Sequence, residues 1–163
     1  MPRAPYSFGL DSAFKQAKSQ AEHDPNIKRL LIIEFGVASG AGLINLVNKS
    51  KKLSNYYNLE CKIIGFDSGE GLPHSIDYRD HPEKYLFGDF VPSDINSLKS
   101  KLPNNAKLYI GDIRQTLMEF NNDVKHGDSC LCVPCKFPPG TIRVDPLAGT
   151  FFYFTFMTII EKL

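Results

Sequence analysis

The sequence predicts an α/β fold built on a mostly parallel, doubly wound sheet. Three observations carry that prediction. Short apolar runs recur at Leu30–Ile33, in CKIIGFD (61–67) and in KLYI (107–110), and each ends on or near an acidic residue: Glu34, Asp67 and Asp112. Segments with apolar residues at helical spacing separate the runs. The first run opens directly into a turn with glycines at 36, 40 and 42, as a strand–turn–helix unit requires.

Composition narrows the class. A chain of 163 residues is long enough for one domain with a single core, and 42% apolar with 23% charged residues is ordinary for a globular protein. A net charge of +1 gives no electrostatic reason to expect nucleic acid or an anionic membrane as partner. The first ten residues contain Pro2, Arg3, Pro5 and Gly9 with no apolar core behind them, so no secretory signal is expected. The longest apolar run, Phe151–Ile160, is too short to span a bilayer as a helix. Four cysteines, three of them clustered late, do not read as a disulfide framework in a chain of this size. The expected location is the cytoplasm.

In chain order, residues 1–9 read as an arm. Leu10, Ala13, Phe14, Ala17 and Ala21 form a helical stripe with Asp11 or Ser12 as its cap, and Asp24-Pro25 ends it. Four apolar residues bounded by a turn fit a strand covered on both faces. Glu34 stands at that strand's tip. Leu43, Leu46 and Val47 continue as a helix to about Lys52, and Asn55–Glu60 is a polar connection.

The second strand ends at Asp67, one helix and one strand beyond Gly36, as a right-handed βαβ unit requires. Glu34 and Asp67 then share one edge of the sheet, and a carboxylate there can accept both hydroxyls of a ribose. The plainer reading, a helix cap or loop acid, weighs less because two separate features point to the same crevice. Ser68–Phe90 is rich in turn formers and holds Tyr78, Tyr85, Phe87 and Phe90, which suits a lid; His74 and His81 within it are read as solvent-exposed. Ser93 or Asp94 caps a short helix with Ile95, Leu98 and Leu102 on one face. The third strand ends at Gly111-Asp112, and Ile113, Leu117 and Phe120 start another helical face.

These motifs resemble class I S-adenosylmethionine-dependent methyltransferases, and among them the macrocin O-methyltransferase-like group. The matching segments are EFGVASGAGL (34–43), GFDSGEGLP (65–73), DYRD (77–80) and KLYIGDIRQTL (107–117), with YSFGL (6–10) similar to that group's leader helix. The resemblance implies a Rossmann-like fold, incomplete relative to the family. It implies that residues 1–122 are the cofactor-binding half of a methyltransferase domain and that 123–163 are a divergent tail. It also implies roles around S-adenosylmethionine. Glu34 and the turn of Gly36, Val37, Ser39 and Gly40 would hold the methionine part. Asp67, with Ser68 beside it, would take the ribose hydroxyls. Asp112 and Ile113 would face the adenine. A small molecule or saccharide hydroxyl would be the acceptor. The turn lacks the Gly-Lys-Ser/Thr of a P-loop and the usual dinucleotide spacing, which disfavours a nicotinamide oxidoreductase.

Past about Asn122 the chain leaves the family pattern. Pro134 and Cys135 stand where the family carries catalytic or metal-ligand carboxylates, so neither a catalytic residue nor a divalent-metal site is assigned. The abrupt change favours a tail that is not the natural continuation, as after a frameshift, over an unusual real ending. A truncated, non-catalytic homologue that binds the cofactor weakly or not at all is therefore the alternative function. Ser129–Val133 fits a short strand. His126, Cys130, Cys132 and Cys135 are four soft ligands, but without paired C-x-x-C knuckles they read as plain thiols rather than a zinc site. Phe151–Ile160 is either an added strand or an exposed apolar segment, and an open sheet edge would favour a homo-oligomer.

Overall fold

A computed structural model describes residues 4–25, 27, 29–75, 82–123 and 130–131. They form an α/β arrangement with a small parallel sheet. The elements are α1 (Ala4–His23), β1 (Arg29–Phe35), α2 (Ala41–Tyr57), β2 (Glu60–Asp67), α3 (Ile95–Lys101), β3 (Ala106–Ile110), α4 (Ile113–Asp123) and the two-residue β4 (Cys130–Leu131). The sheet order is β3-β2-β1-β4, and every pairing is parallel. The chain thus steps outward from β1 to β3 and returns to the opposite side of β1.

The unbroken apolar character of β1 has a direct physical cause, because the strand is covered on both sides. Leu30 and Ile32 belong to a core with Tyr6, Leu10 and Phe14 of α1, Leu43 and Leu46 of α2, and Leu98 of α3. Leu31 and Ile33 belong to a second core with Ile64, Phe66, Tyr109 and Phe120 of α4. Alternate residues of one strand therefore feed opposite faces. The second core is largely aromatic: Phe66 stacks on Phe35 at 5.3 Å and on Tyr109 at 5.2 Å, with the Phe120 ring edge-on at 5.8 Å.

Two boundaries differ from the sequence expectation. Helix α1 begins at Ala4, so most of the expected arm is helical. The buried stripe starts at Tyr6 and runs through Leu10, Phe14 and Ala17 at spacings of three and four, and this packing outweighs the helix-weakening Gly9. Pro5 is tolerated because it lies in the first turn. Asp11, expected as a cap, lies inside the helix, where it accepts a hydrogen bond from the Tyr57 hydroxyl at 3.0 Å and pairs with Lys15. Helix α2 runs to Tyr57 rather than Lys52, because Leu53 and Tyr57 still reach the first core and the Tyr57 ring stacks on Phe14. It closes on Asn58, whose φ of 49° suits a residue tolerant of the left-handed region.

The short helix α3 has the expected cap, with the Asp94 carboxylate accepting from the Ser97 backbone N–H at 2.8 Å. Strand β4 falls within the expected Ser129–Val133 segment. The rest of the tail, including His126, Cys132, Cys135 and Phe151–Ile160, lies outside the described residues, as do Tyr78 and His81 of the expected lid. Among the described residues no helix is long and apolar enough to cross a membrane.

Candidate functional site

The carboxyl ends of β1, β2 and β3 lie side by side, and backbone hydrogen bonds tie their loops together. The Gly36 N–H donates to the Phe66 carbonyl at 2.8 Å, and the Gly111 N–H to the Asp67 carbonyl at 2.9 Å. The three acids expected at this edge are all there. Their surroundings differ sharply.

Glu34 is buried, with 6% of its surface exposed. Its Oε1 accepts a hydrogen bond from the Tyr6 hydroxyl at 2.9 Å. The carboxylate also lies against the first turn of α2: a Cβ on Gly42 would stand 2.3 Å from Oε1. Only a glycine leaves that space, and the amino end of a helix favours a negative charge.

Asp67 carries the turn. Its Oδ2 accepts from the backbone N–H groups of Val37 (2.7 Å) and Ala38 (2.8 Å), and its Oδ1 from that of Gly69 (2.8 Å). A carboxylate offers about four acceptor directions. Among the described residues three backbone N–H groups engage it, two on Oδ2 and one on Oδ1, so its first job is to brace the turn. These bonds also hold Ala38 at φ 48°, a left-handed conformation that costs an alanine energy. Ser68, next in sequence, is exposed and closes its own small turn, donating to the Gly71 carbonyl and accepting from the Glu70 N–H, both at 3.2 Å.

The glycines of the β1–α2 turn are not equivalent. Gly36 has φ 76° and is exposed, and a Cβ there would meet nothing within 4 Å; its backbone faces open space. Gly40 has φ 82°, but a Cβ there would stand 2.3 Å from a Leu98 methyl, so its smoothness admits α3. Val37 between them is buried over Gly65, and Ser39 is exposed.

Asp112 is exposed and caps α4. Its carboxylate accepts from the Arg114 backbone N–H (2.8 Å) and from the guanidinium Nε (3.1 Å) and Nη2 (2.8 Å). Those side-chain bonds first, and the backbone N–H second, hold its carboxyl well down, at about 2. Ile113 is 40% exposed and stands off the second core, unlike Phe120 and Leu117 of the same helix.

The segment after β2 is pinned at its base. The Leu72 N–H donates to the Asp89 carbonyl at 2.8 Å and the Gly88 N–H to the Leu72 carbonyl at 2.9 Å. Beyond this pair Leu86, Phe87, Phe90 and Val91 are exposed, and the exposed His74 ring stacks on Phe87. Among the described residues no group of three His, Cys, Asp or Glu side chains is placed to hold a metal ion.

Two participants escape a reading of motifs alone. Tyr6 sits in the segment taken for an arm, yet its four-residue spacing from Leu10 and then Phe14 is a signal that the stripe starts earlier. Arg114 lies two residues past a strand-tip acid, where it neutralises that acid. Compared with known proteins, the chain matches no family model, no curated protein and no solved structure.

Proposed function

We propose that the strand tips bind S-adenosylmethionine and that the chain is a Rossmann-like methyltransferase domain acting on a small-molecule or saccharide hydroxyl in the cytoplasm. The observation that carries the reading is the pairing of a buried Glu34 carboxylate with a Gly36 backbone that opens onto free space one residue past the strand. A carboxylate suits the ammonium of the cofactor's amino-acid end, and a glycine with open space beside it lets a ligand approach the main chain. In open α/β sheets such ligands sit beyond the carboxyl ends of the strands, where the strand order reverses, and here the order reverses at β1. Asp67 supports the site mainly by shaping the turn. The exposed Ile113 offers an apolar surface to an adenine ring.

Calorimetric titration with S-adenosylhomocysteine, run beside NAD, tests this reading. Saturable binding of the first with none of the second is expected. Binding of NAD alone, or of neither by a folded and monodisperse protein, overturns it.

A second reading is favoured by one specific feature. By the resemblance, Pro134 and Cys135 stand where such methyltransferases carry carboxylates, and methyl transfer to a hydroxyl usually needs a base or metal for the departing proton. On that reading the chain is a truncated, non-catalytic homologue that binds the cofactor weakly or not at all. Methyl transfer to a panel of hydroxyl acceptors separates the two.

A further inference from the structure

We infer that Tyr6 is a positioning residue for the cofactor's amino-acid end, acting through Glu34; the inference rests on the cofactor reading above. Burying a carboxylate costs several kcal/mol unless partners compensate. At the β1 tip the fold provides a phenolic donor from α1, bonded to Oε1 at 2.9 Å, and a helix turn left bare by Gly42. Two elements distant in sequence thus define a single carboxylate orientation. With Oε1 fixed by Tyr6, the plane of the carboxylate and the direction of Oε2 are fixed as well.

A purely structural role, with the Tyr6 hydroxyl serving only to dock α1, explains less. Helix α1 is already held by Leu10, Phe14 and Ala17, each no more than 1% exposed. It is held as well by the Tyr57–Asp11 hydrogen bond and by the Lys49 ammonium donating to Ser7. Those contacts lie along the helix, and the Tyr6 bond sits at its first turn, against the strand tips. The amino-terminal turn of α1 is therefore a wall of the candidate site.

The test uses the full chain and two ligands that share the adenosine and the thioether. S-adenosylhomocysteine carries the amino-acid arm; 5′-methylthioadenosine carries a methyl group in its place. A hydrogen bond to a charged group accounts for roughly tenfold or more in affinity. Tyr6→Phe is expected to weaken S-adenosylhomocysteine about tenfold while leaving 5′-methylthioadenosine within about twofold. In a Glu34→Gln background the same change is expected to have no further effect. Gly42→Ala, which drives a Cβ onto Oε1 and to 3.1 Å from the Tyr6 hydroxyl, disturbs the same hydrogen bond from the α2 side; it is expected to give the same selective loss and covers the case in which Tyr6→Phe does not fold. Equal weakening of both ligands by these variants overturns the inference, as does unchanged binding of both. Wild-type protein that binds neither ligand overturns the cofactor reading itself.

Discussion

The tips of β1 and β3 look alike in sequence and unlike in the folded chain. Each is an apolar strand followed by an acid and a helix. At β1 the acid is buried, bonded by a tyrosine from another helix and seated on a bare helix turn. At β3 the acid is exposed and closed on a guanidinium two residues away. Between them, at β2, Asp67 gives most of its acceptor capacity to the main chain of the first turn. An acid at a strand tip is thus only a placement. Its role is decided by which donors reach it first: neighbours along the chain neutralise it, and backbone N–H groups turn it into a brace. A contact from a distant element, as from Tyr6 to Glu34, fixes its orientation within the core.

The largest effect expected from breaking this arrangement is at Asp67. Asp67→Ala removes the acceptor for three backbone N–H groups and the support for a left-handed alanine. A loss of about 3 kcal/mol in unfolding free energy is expected, since hydrogen bonds to a charged acceptor are each among the stronger ones. Urea denaturation measures it. If Asp67 acted mainly as a ribose ligand, the substitution would weaken S-adenosylhomocysteine while leaving the denaturation midpoint in place, and the brace would be refuted.

The two left-handed glycines of the β1–α2 turn divide in the same way. Gly40→Ala meets both an unfavourable φ and the Leu98 methyls at 2.3 and 2.6 Å, whereas Gly36→Ala meets the φ alone. About 3 kcal/mol is expected for the first, from backbone strain plus overpacking, and about 1 kcal/mol for the second. Ligand binding is expected to reverse the order, because the alanine at 36 projects into the open space that the cofactor reading fills. Thermal melts and titration of both variants with S-adenosylhomocysteine decide it. Equal binding losses would mean that Gly36 has no privileged relation to the ligand.

Much of the strand framework was legible because its cause is local. An apolar run covered on two faces leaves a continuous signature, and Leu30–Ile33, CKIIGFD and KLYI all fall within observed strands. The cap at Asp94 was legible for the same reason. What escaped depends on contacts between distant segments. The start of α1 rests on Tyr6 meeting Glu34 and the first core, and the length of α2 on Tyr57 meeting Phe14. In the site, the residue types at the strand tips were visible, but the distribution of donors among the acids was not. No spacing rule tells that the N–H groups of Val37 and Ala38 turn toward Asp67, or that Leu98 needs a bare Gly40.

The smallest expected effect is at Asp112, and its sign follows from the pairing with Arg114. The carboxyl is held at about 2 against an ordinary value of 3.8, chiefly by the Arg114 side-chain bonds and then by the Arg114 backbone N–H. A group whose pKa is lower in the folded chain binds its proton more readily when unfolded. Its stabilising contribution is therefore complete above the ordinary carboxylate value and is lost as the pH falls through about 2. Thermal melts from pH 5 down to pH 2 are expected to show a steeper decline for the wild type than for Asp112→Asn. Because the pair is exposed, added salt is expected to narrow the difference. The same contrast bears on the ligand: an acid already closed on a guanidinium gives little to an adenine amine. Arg114→Ala, which removes the guanidinium and keeps the backbone N–H on the Asp112 carboxylate, is thus expected to leave S-adenosylhomocysteine binding unchanged or slightly stronger. A marked loss of binding in that variant would show that the β3 tip takes part in ligand binding as an intact ion pair.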